Sequence, residues 1–291
     1  MVSLIVPGSS ERMLAKARDL SVREVVIDLE DAVVADRKSE ALALAIGALS
    51  SGFAAARVSV RINPPGSPWA HQELIELTSA PVRPTSVVVP KVSDSGDLAF
   101  VERLLAGAEA AADVVVPMRV QALIETATGI ANLQEIAGGS PRLEALVLGY
   151  ADLAVSLSRS AAYAADLDSW AAVQSSIVVA ARSAGVLAID GPFLTLGDPD
   201  GLNTWAGRIV GLGFDGKWAI HPGQIDRIHS AFTPSDASVN KARAIIDALA
   251  EAERLGLGAV RLDGQMLDEA VRLAALRTLE RAGLAVTEPS Q

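Results

Sequence analysis

Short apolar runs rich in valine and isoleucine recur along the chain, each followed by an alanine- and leucine-rich amphipathic stretch. That alternation is the pattern of parallel strands joined by helical crossovers. It predicts eight strands: Leu4 to Pro7, Val25 to Glu30, Val58 to Asn63, Ser86 to Lys91, Arg119 to Thr126, Leu143 to Tyr150, Val186 to Asp190 and Lys217 to His221. Most are apolar at successive positions rather than at every second one, so they should be buried on both faces, as strands are in an α/β core. Eight strand-helix units in about 230 residues fit a (β/α)8 barrel. The competing open doubly wound sheet would carry a glycine-rich phosphate turn after its first strand, and Pro7-Gly8-Ser9-Ser10 is not that fingerprint. These four residues read equally well as a serine-capped strand-to-helix turn and as a ligand-contacting loop.

Past His221 the pattern changes. Thr233-Pro234-Ser235-Asp236 breaks the chain, and Ser235 or Asp236 can cap a helix reaching about Leu255. A glycine-rich connector, Gly256-Leu257-Gly258, leads through Gly264-Gln265-Met266-Leu267-Asp268 into a last helix ending near Gly283. The expected organisation is a catalytic barrel over 1–232 and a helical lid or subunit-contacting extension over 233–291, frayed from Thr287 to Gln291.

Composition narrows the function. Lys and Arg total 25 against 35 Asp and Glu among the 291 residues, a net charge of −10 that works against a nucleic-acid partner. No stretch approaches the ~18 uninterrupted apolar residues of a membrane span. Met1 to Pro7 is too short and uncharged to read as a secretory signal. The absence of cysteine excludes disulfides, thiolate metal sites and cysteine nucleophiles, and with the rest it suggests the cytoplasm.

The chemistry lies where ionisable groups interrupt the apolar runs. Barrel enzymes collect their reacting groups at the C-terminal ends of the strands. Six successive predicted strands end there with such groups: Asp28-Leu29-Glu30-Asp31, Arg61 with Asn63, Lys91, Glu125, Asp152 and Asp190. Each alone reads equally well as a helix cap or surface residue; six on one rim are a pattern. The three histidines, His71, His221 and His229, have no zinc-motif spacing, whereas carboxylate oxygens suit Mg²⁺, which takes one or two protein carboxylates and keeps its other positions for water and substrate. Glu125 and Asp152, one strand-helix-strand step apart, are the leading metal ligands. The bland reading pairs Glu125 with Arg61 or Lys91 and makes Asp152 the cap of a helix starting near Leu153. Arg61 interrupts an apolar strand and must meet a carboxylate, either of a ligand, which its planar fork would grip bidentately, or of Glu30 or Asp31. Both hold at once if an acidic shell fixes the arginine while its remaining donors face ligand.

These residues belong to a longer set of matching stretches. Val6-Pro7-Gly8-Ser9 with Arg12 and Lys16 is followed by Val26-Ile27-Asp28-Leu29-Glu30-Asp31-Ala32-Val33 with Lys38, Val60-Arg61-Ile62-Asn63, Val89-Pro90-Lys91-Val92, Ile124-Glu125-Thr126-Ala127 and Gly149-Tyr150-Ala151-Asp152. Further on come Ala188-Ile189-Asp190-Gly191-Pro192-Phe193, Gly213 to Gln224 and Met266-Leu267-Asp268. In this order and over nearly the whole length, the chain resembles the HpcH/HpaI aldolase and citrate lyase beta-subunit superfamily, in particular its free-standing citrate-lyase-beta-like and malyl-CoA-lyase-like branch. The resemblance implies a (β/α)8 barrel, trimeric or built from trimers, that cleaves or forms carbon-carbon bonds in carboxylate-bearing 3-hydroxyacyl-CoA thioesters, with a small 2-oxo acid as the other partner.

Carried onto this sequence, it implies that Glu125 and Asp152 hold Mg²⁺ and that Arg61, supported by Glu30 and Asp31, binds the oxyanion or carboxylate. Arg12, Lys16 and Lys91 would contact phosphates and carboxylates of the thioester. Asp268 would be an acid or base delivered from the tail of a neighbouring subunit, a role that calls for closure of the tail to raise its pKa; its bland alternative is the N-cap of the last helix. Three other functions fit the same residues. A thioester hydrolase would release free CoA, a pyruvate-class aldolase would act on free acids, and a non-catalytic subunit of a lyase complex would turn over nothing.

Overall fold

The computed structural model describes residues 1–159 and 167–284. Eight parallel strands, β1 (Val2–Pro7), β2 (Glu24–Asp28), β3 (Arg57–Arg61), β4 (Ser86–Val89), β5 (Arg119–Ile124), β6 (Leu143–Leu148), β7 (Leu187–Asp190) and β8 (Gly216–Ala219), close into a barrel in sequence order, with β8 pairing back onto β1. The helices between them are α1 (Glu11–Arg18), α2 (Lys38–Ser51), α3 (Ala70–Ser79), α4 (Ser95–Ala111), α5 (Ala127–Ala131), α6 (Leu133–Ala137), α7 (Tyr150–Ser156), α8 (Leu167–Ala184) and α9 (Pro199–Leu212), with α10 (Ile225–Phe232) after β8. All eight predicted strands are present, and the architecture is the (β/α)8 barrel. The Pro7–Ser10 segment is a strand-to-helix turn in which Ser10 caps α1 by accepting from Met13 N.

Alternation along the strands layers the interior. Val26, Val88, Leu123, Ala145, Val147, Ile189 and Trp218 form an apolar middle. Two residues earlier on β2, β4 and β5, and at Ser59 on β3, the interior is polar: Glu24 accepts from Ser3 Oγ at 2.6 Å, Ser59 Oγ at 2.6 Å and Gln121 Nε2 at 2.7 Å, and Ser59 and Ser86 hydroxyls meet at 2.7 Å. Two residues after the middle layer the same alternation places Asp28 and Glu125 on the opposite rim, with Arg61 paired in register with Asp28.

The described chain divides into two compact units, Met1–Ile228 and His229–Gln291. In the second, α11 (Asp236–Arg254) is capped by Ser235, which accepts from Ser238 N. A hairpin of β9 (Val260–Leu262) and β10 (Gln265–Leu267) follows, then α12 (Glu269–Arg281). Ala242, Ile245, Leu249, Leu267, Ala275 and Leu279 form its apolar core. The hairpin corrects the reading of this stretch as a plain connector. Its two-residue turn is Asp263-Gly264 with φ of 48° and 82°, the conformation that matches the twist of the flanking strands. The frayed end expected from Thr287 to Gln291 lies outside the described residues. Among the described residues no helix is long and apolar enough to cross a membrane.

Candidate active site

At the C-terminal rim, Arg61 closes β3 and is buried. Its Nε and Nη2 donate to the two oxygens of Asp28 at 2.7 and 2.6 Å, a bidentate pair set by the β2–β3 register. Its Nη1 faces Glu30 Oε2 at 3.0 Å and Asp31 Oδ2 at 3.7 Å. Burial alone would lower the guanidinium's pKa, but Asp28, Glu30 and Glu125 outweigh it and hold the pKa above its ordinary value. The sequence reading offered Glu30 and Asp31 as internal partners. The structure keeps both but makes Asp28 the main one, because Asp28 is directly across the ladder.

Glu30 and Asp31 follow β2 on a turn pinned from two directions. Asp28 accepts from the backbone N of Glu30 and Ala32 at 2.8 and 3.1 Å. Lys38 Nζ donates to the carbonyls of Leu29 and Glu30 at 2.8 and 2.7 Å. Beside them Glu73 holds Asn63 through its backbone and side-chain N at 2.7 and 2.5 Å.

Lys91, two residues beyond β4, has a left-handed backbone with φ of 55°. That turn, costly for a side chain with a Cβ, ends the strand and sends the two ends of the lysine to different carboxylates. Its backbone N donates to Glu125 Oε1 at 2.9 Å, and its Nζ lies 2.5 Å from Glu30, 3.7 Å from Asp31 and 3.3 Å from Asp152. Burial lowers its pKa, but the bond to Glu30 and the surrounding acids reverse that and raise it overall.

Glu125 immediately follows β5 and is 4 % exposed. Burial and the neighbouring Glu30 push its carboxyl up to about 8, with Arg61 and the Lys91 amide acting in the other direction and Asp152 adding to the rise. Gly149, at the end of β6, makes room for it: a Cβ there would lie 2.6 Å from Glu125 Oε2 and 2.7 Å from its Cβ. The bland reading of the two candidate ligands is met only in part, through the Lys91 backbone N–H on Glu125. Glu125 takes a backbone N–H and has no ion pair with Arg61 or with the Lys91 ammonium among the described residues. Asp152 does not cap a helix; it sits in the first turn of α7, whose N-cap is Gly149, and faces Lys91.

Six of the residues predicted for the site, Glu30, Asp31, Arg61, Lys91, Glu125 and Asp152, are thus brought together. Arg12 and Lys16 lie four residues apart on the exposed side of α1, with no hydrogen bond or ion pair among the described residues. Asp268 belongs to the second unit, where it is exposed and caps α12 by accepting from Val271 N at 3.1 Å. The sequence reading gave no role to Asp28, Lys38 or Gly149.

The acids outnumber the cations. Asp28, Glu30, Asp31, Glu125 and Asp152 surround the two cations Arg61 and Lys91, and the Lys91 ammonium takes the position where Glu30, Asp31 and Asp152 converge. Among the described residues no three or more His, Cys, Asp and Glu side chains converge as a complete metal cage. Two hard oxygen donors from adjacent strand ends, a carboxylate excess and the space left by Gly149 fit a divalent cation that completes its shell with water and substrate.

Residues 2–222 match the model of the HpcH/HpaI aldolase/citrate lyase family. The chain is 35 % identical over 279 residues to an L-malyl-CoA/beta-methylmalyl-CoA lyase of Cereibacter sphaeroides, covering 90 % of this chain and 86 % of that one. It is also 35 % identical over 280 residues to a (3S)-malyl-CoA thioesterase of the same species, covering 96 % and 93 %. Among solved structures, CitE of Mycobacterium tuberculosis in complex with magnesium, acetoacetate and coenzyme A superposes with a TM-score of 0.81 at 29 % identity, covering 97 % of both chains. With the barrel, the rim chemistry and a family match across nearly all of the first unit in agreement, the chain belongs to the HpcH/HpaI aldolase/citrate lyase family.

Proposed function

We propose that the protein is a Mg²⁺-dependent carbon-carbon lyase that cleaves or forms a carboxylate-bearing 3-hydroxyacyl-CoA of the malyl-, citramalyl- or citryl-CoA type, yielding or consuming a small 2-oxo acid. One observation carries the reading: a buried carboxylate, Glu125, with no ion-pair partner among the described residues stands beside Asp152 in a rim where acids exceed cations. Nucleic acid has no part in it. The lyase and thioesterase relatives support a thioester substrate, and the magnesium in the CitE structure supports the metal.

In this reading Glu125 and Asp152 hold the ion and Lys91 gives up its place beside Asp152. When bound, Mg²⁺ supplies Lewis acidity to the oxygens of the 2-oxo acid unit. Arg61, fixed by Asp28 and by Glu30 and Asp31, offers the guanidinium hydrogens these acids leave free to the negative charge that develops as the bond breaks, a preorganised contribution of several kcal/mol. Arg12, Lys16 and Lys91 attract the thioester's phosphates and carboxylates, acting within the ~8 Å reach that salt leaves to surface charges. Asp268 exchanges a proton with the carbon released as an acyl-thioester enolate, reaching it from a neighbouring subunit of a homotrimer or hexamer. The cysteine-free, acidic composition is the support for residence in the cytoplasm.

A second reading, hydrolysis of the thioester on the same site, is favoured by the thioesterase relative. Incubation of malyl-, citramalyl-, methylmalyl- and citryl-CoA with and without Mg²⁺ separates the two. Release of a 2-oxo acid with an acyl-CoA, dependent on Mg²⁺, supports the lyase. Free CoA with an intact hydroxy acid overturns it in favour of the hydrolase. Turnover of pyruvate and an aldehyde alone, or of nothing, overturns it in favour of the free-acid aldolase or the non-catalytic subunit.

A further inference from the structure

Outside the barrel wall, on β7 and β8, lies a second charged network that the reaction does not use. Asp190 and Lys217 are paired in register and both fully buried, with Nζ 2.5 Å from Asp190 Oδ2 and 2.5 Å from the Gly191 carbonyl. Asp190 also accepts from Trp205 Nε1 at 3.0 Å and from the Tyr150 hydroxyl. That hydroxyl accepts in turn from Gln174 Nε2 at 2.8 Å. The Tyr150 ring stands edge-on between Trp170 and Trp205, with centroids 5.1 and 5.2 Å away. Gly191 closes the remaining side, where a Cβ would lie 3.0 Å from Tyr150 Cδ2. A buried ion pair of this kind contributes little net stability against an apolar packing of the same volume, so its directional bonds are what it adds.

Those bonds converge on the first residue of α7. The helix has seven residues and no side-chain N-cap, so propensity alone does not fix its orientation. Asp152 lies two residues after Tyr150, and at about 100° per residue the two side chains project about 200° apart. Tyr150 points into the wall and Asp152 toward Lys91 on the rim. Packing of the ring sets how deep the helix sits, whereas the hydroxyl's bond sets its rotation, and rotation decides where the Asp152 oxygens lie.

We propose that the Asp190–Lys217 pair, acting through the Tyr150 hydroxyl, is the positioning device that presents Asp152 to the divalent ion. The inference rests on the reading of Asp152 as a metal ligand; Tyr150, buried with its hydroxyl bonded to Asp190 and Gln174, acts only through Asp152. Removal of such a supporting hydrogen bond from a metal site weakens binding by about 10- to 100-fold.

Mn²⁺ binding to the full chain, followed by electron paramagnetic resonance, tests it on Tyr150→Phe, with Gln174→Met as a gentler second variant that loosens only the phenol. The expected result is about 10-fold or weaker Mn²⁺ binding in Tyr150→Phe, a smaller loss in Gln174→Met, and kcat at saturating Mg²⁺ within about threefold of wild type. Unchanged Mn²⁺ affinity with a lowered melting temperature in both variants overturns the proposal and leaves the network a purely structural one. Asp152→Asn, measured alongside, keeps the two readings apart. If it binds Mn²⁺ as wild type does, the metal assignment itself falls; if it loses Mn²⁺ while Tyr150→Phe does not, only the positioning role falls.

Discussion

Glu125 concentrates the chemistry of the rim in one side chain. Its carboxyl, raised to about 8 by burial and Glu30, holds a proton in the folded metal-free protein that the unfolded chain, with a value near 4.5, has already released. The native state therefore binds more protons across that interval, and linkage requires stability to fall as pH rises from about 4.5 to 8, at up to ~1.4 kcal/mol per pH unit. Glu125→Gln removes this term. Thermal melts in a chelator should show the variant equal to wild type near pH 5 and more stable near pH 8, while added Mg²⁺ stabilises wild type alone. An unaltered pH dependence would contradict the assignment of Glu125 as the strained group. Glu125, Arg61, Lys91 and Asp152 were legible in the sequence because a charge ending an apolar run is itself a signal. Asp28 was not, since one acid among three at the end of β2 acquires its role only when the register sets it against Arg61. Lys38 was also hidden, because its Nζ acts on carbonyls eight and nine residues earlier, and backbone carbonyls have no sequence signature.

At the scale of elements, the barrel strands separate stability from chemistry. The same strands that lead to Asp28, Arg61 and Glu125 carry Glu24, Ser59 and Gln121 nearer their N-terminal ends, toward the face where barrels keep residues for folding. Glu24→Ala leaves the buried Ser3 hydroxyl without its acceptor and takes one acceptor each from Ser59 and Gln121, which should cost about 3 kcal/mol. Urea denaturation should show that loss, while kcat and KM of the folded variant stay at wild-type values; a changed KM would show that the two ends are coupled. The strands themselves were readable from their continuous apolar runs, but the predicted ends ran two residues too far at Glu30, Asn63, Lys91, Thr126, Tyr150 and His221. Local backbone geometry stops the ladder there, as the left-handed Lys91 shows, and that geometry is invisible to a pattern of apolar positions. The β9–β10 hairpin was passed over for another reason: strands of three residues are too short to display a period, although Asp263-Gly264 carried the turn signal.

For the whole molecule, the proposed function requires Asp268 of one subunit to work with the Glu125–Asp152 rim of another. Inactive Asp268→Asn and Glu125→Gln chains, unfolded together and reassembled at equal ratio, should then regain about one quarter of wild-type activity, since a working site needs the intact barrel of one and the intact tail of the other. No recovery would assign both residues to a site within a single chain. Nothing in the sequence pattern points to such sharing; the tail was legible only as helices outside the eight-unit count, and the expectation rests on the family resemblance. The central claim, that Glu125 and Asp152 hold a catalytic Mg²⁺, is tested most directly by the initial rate of malyl-CoA cleavage by wild type and Glu125→Gln, each with Mg²⁺ and after chelation. The expected result is wild-type turnover that disappears on chelation and returns with Mg²⁺, and a variant that stays about 1,000-fold below Mg²⁺-loaded wild type whether or not Mg²⁺ is added. Equal turnover by wild type and variant with Mg²⁺ present, or wild-type turnover that survives chelation, would overturn the assignment.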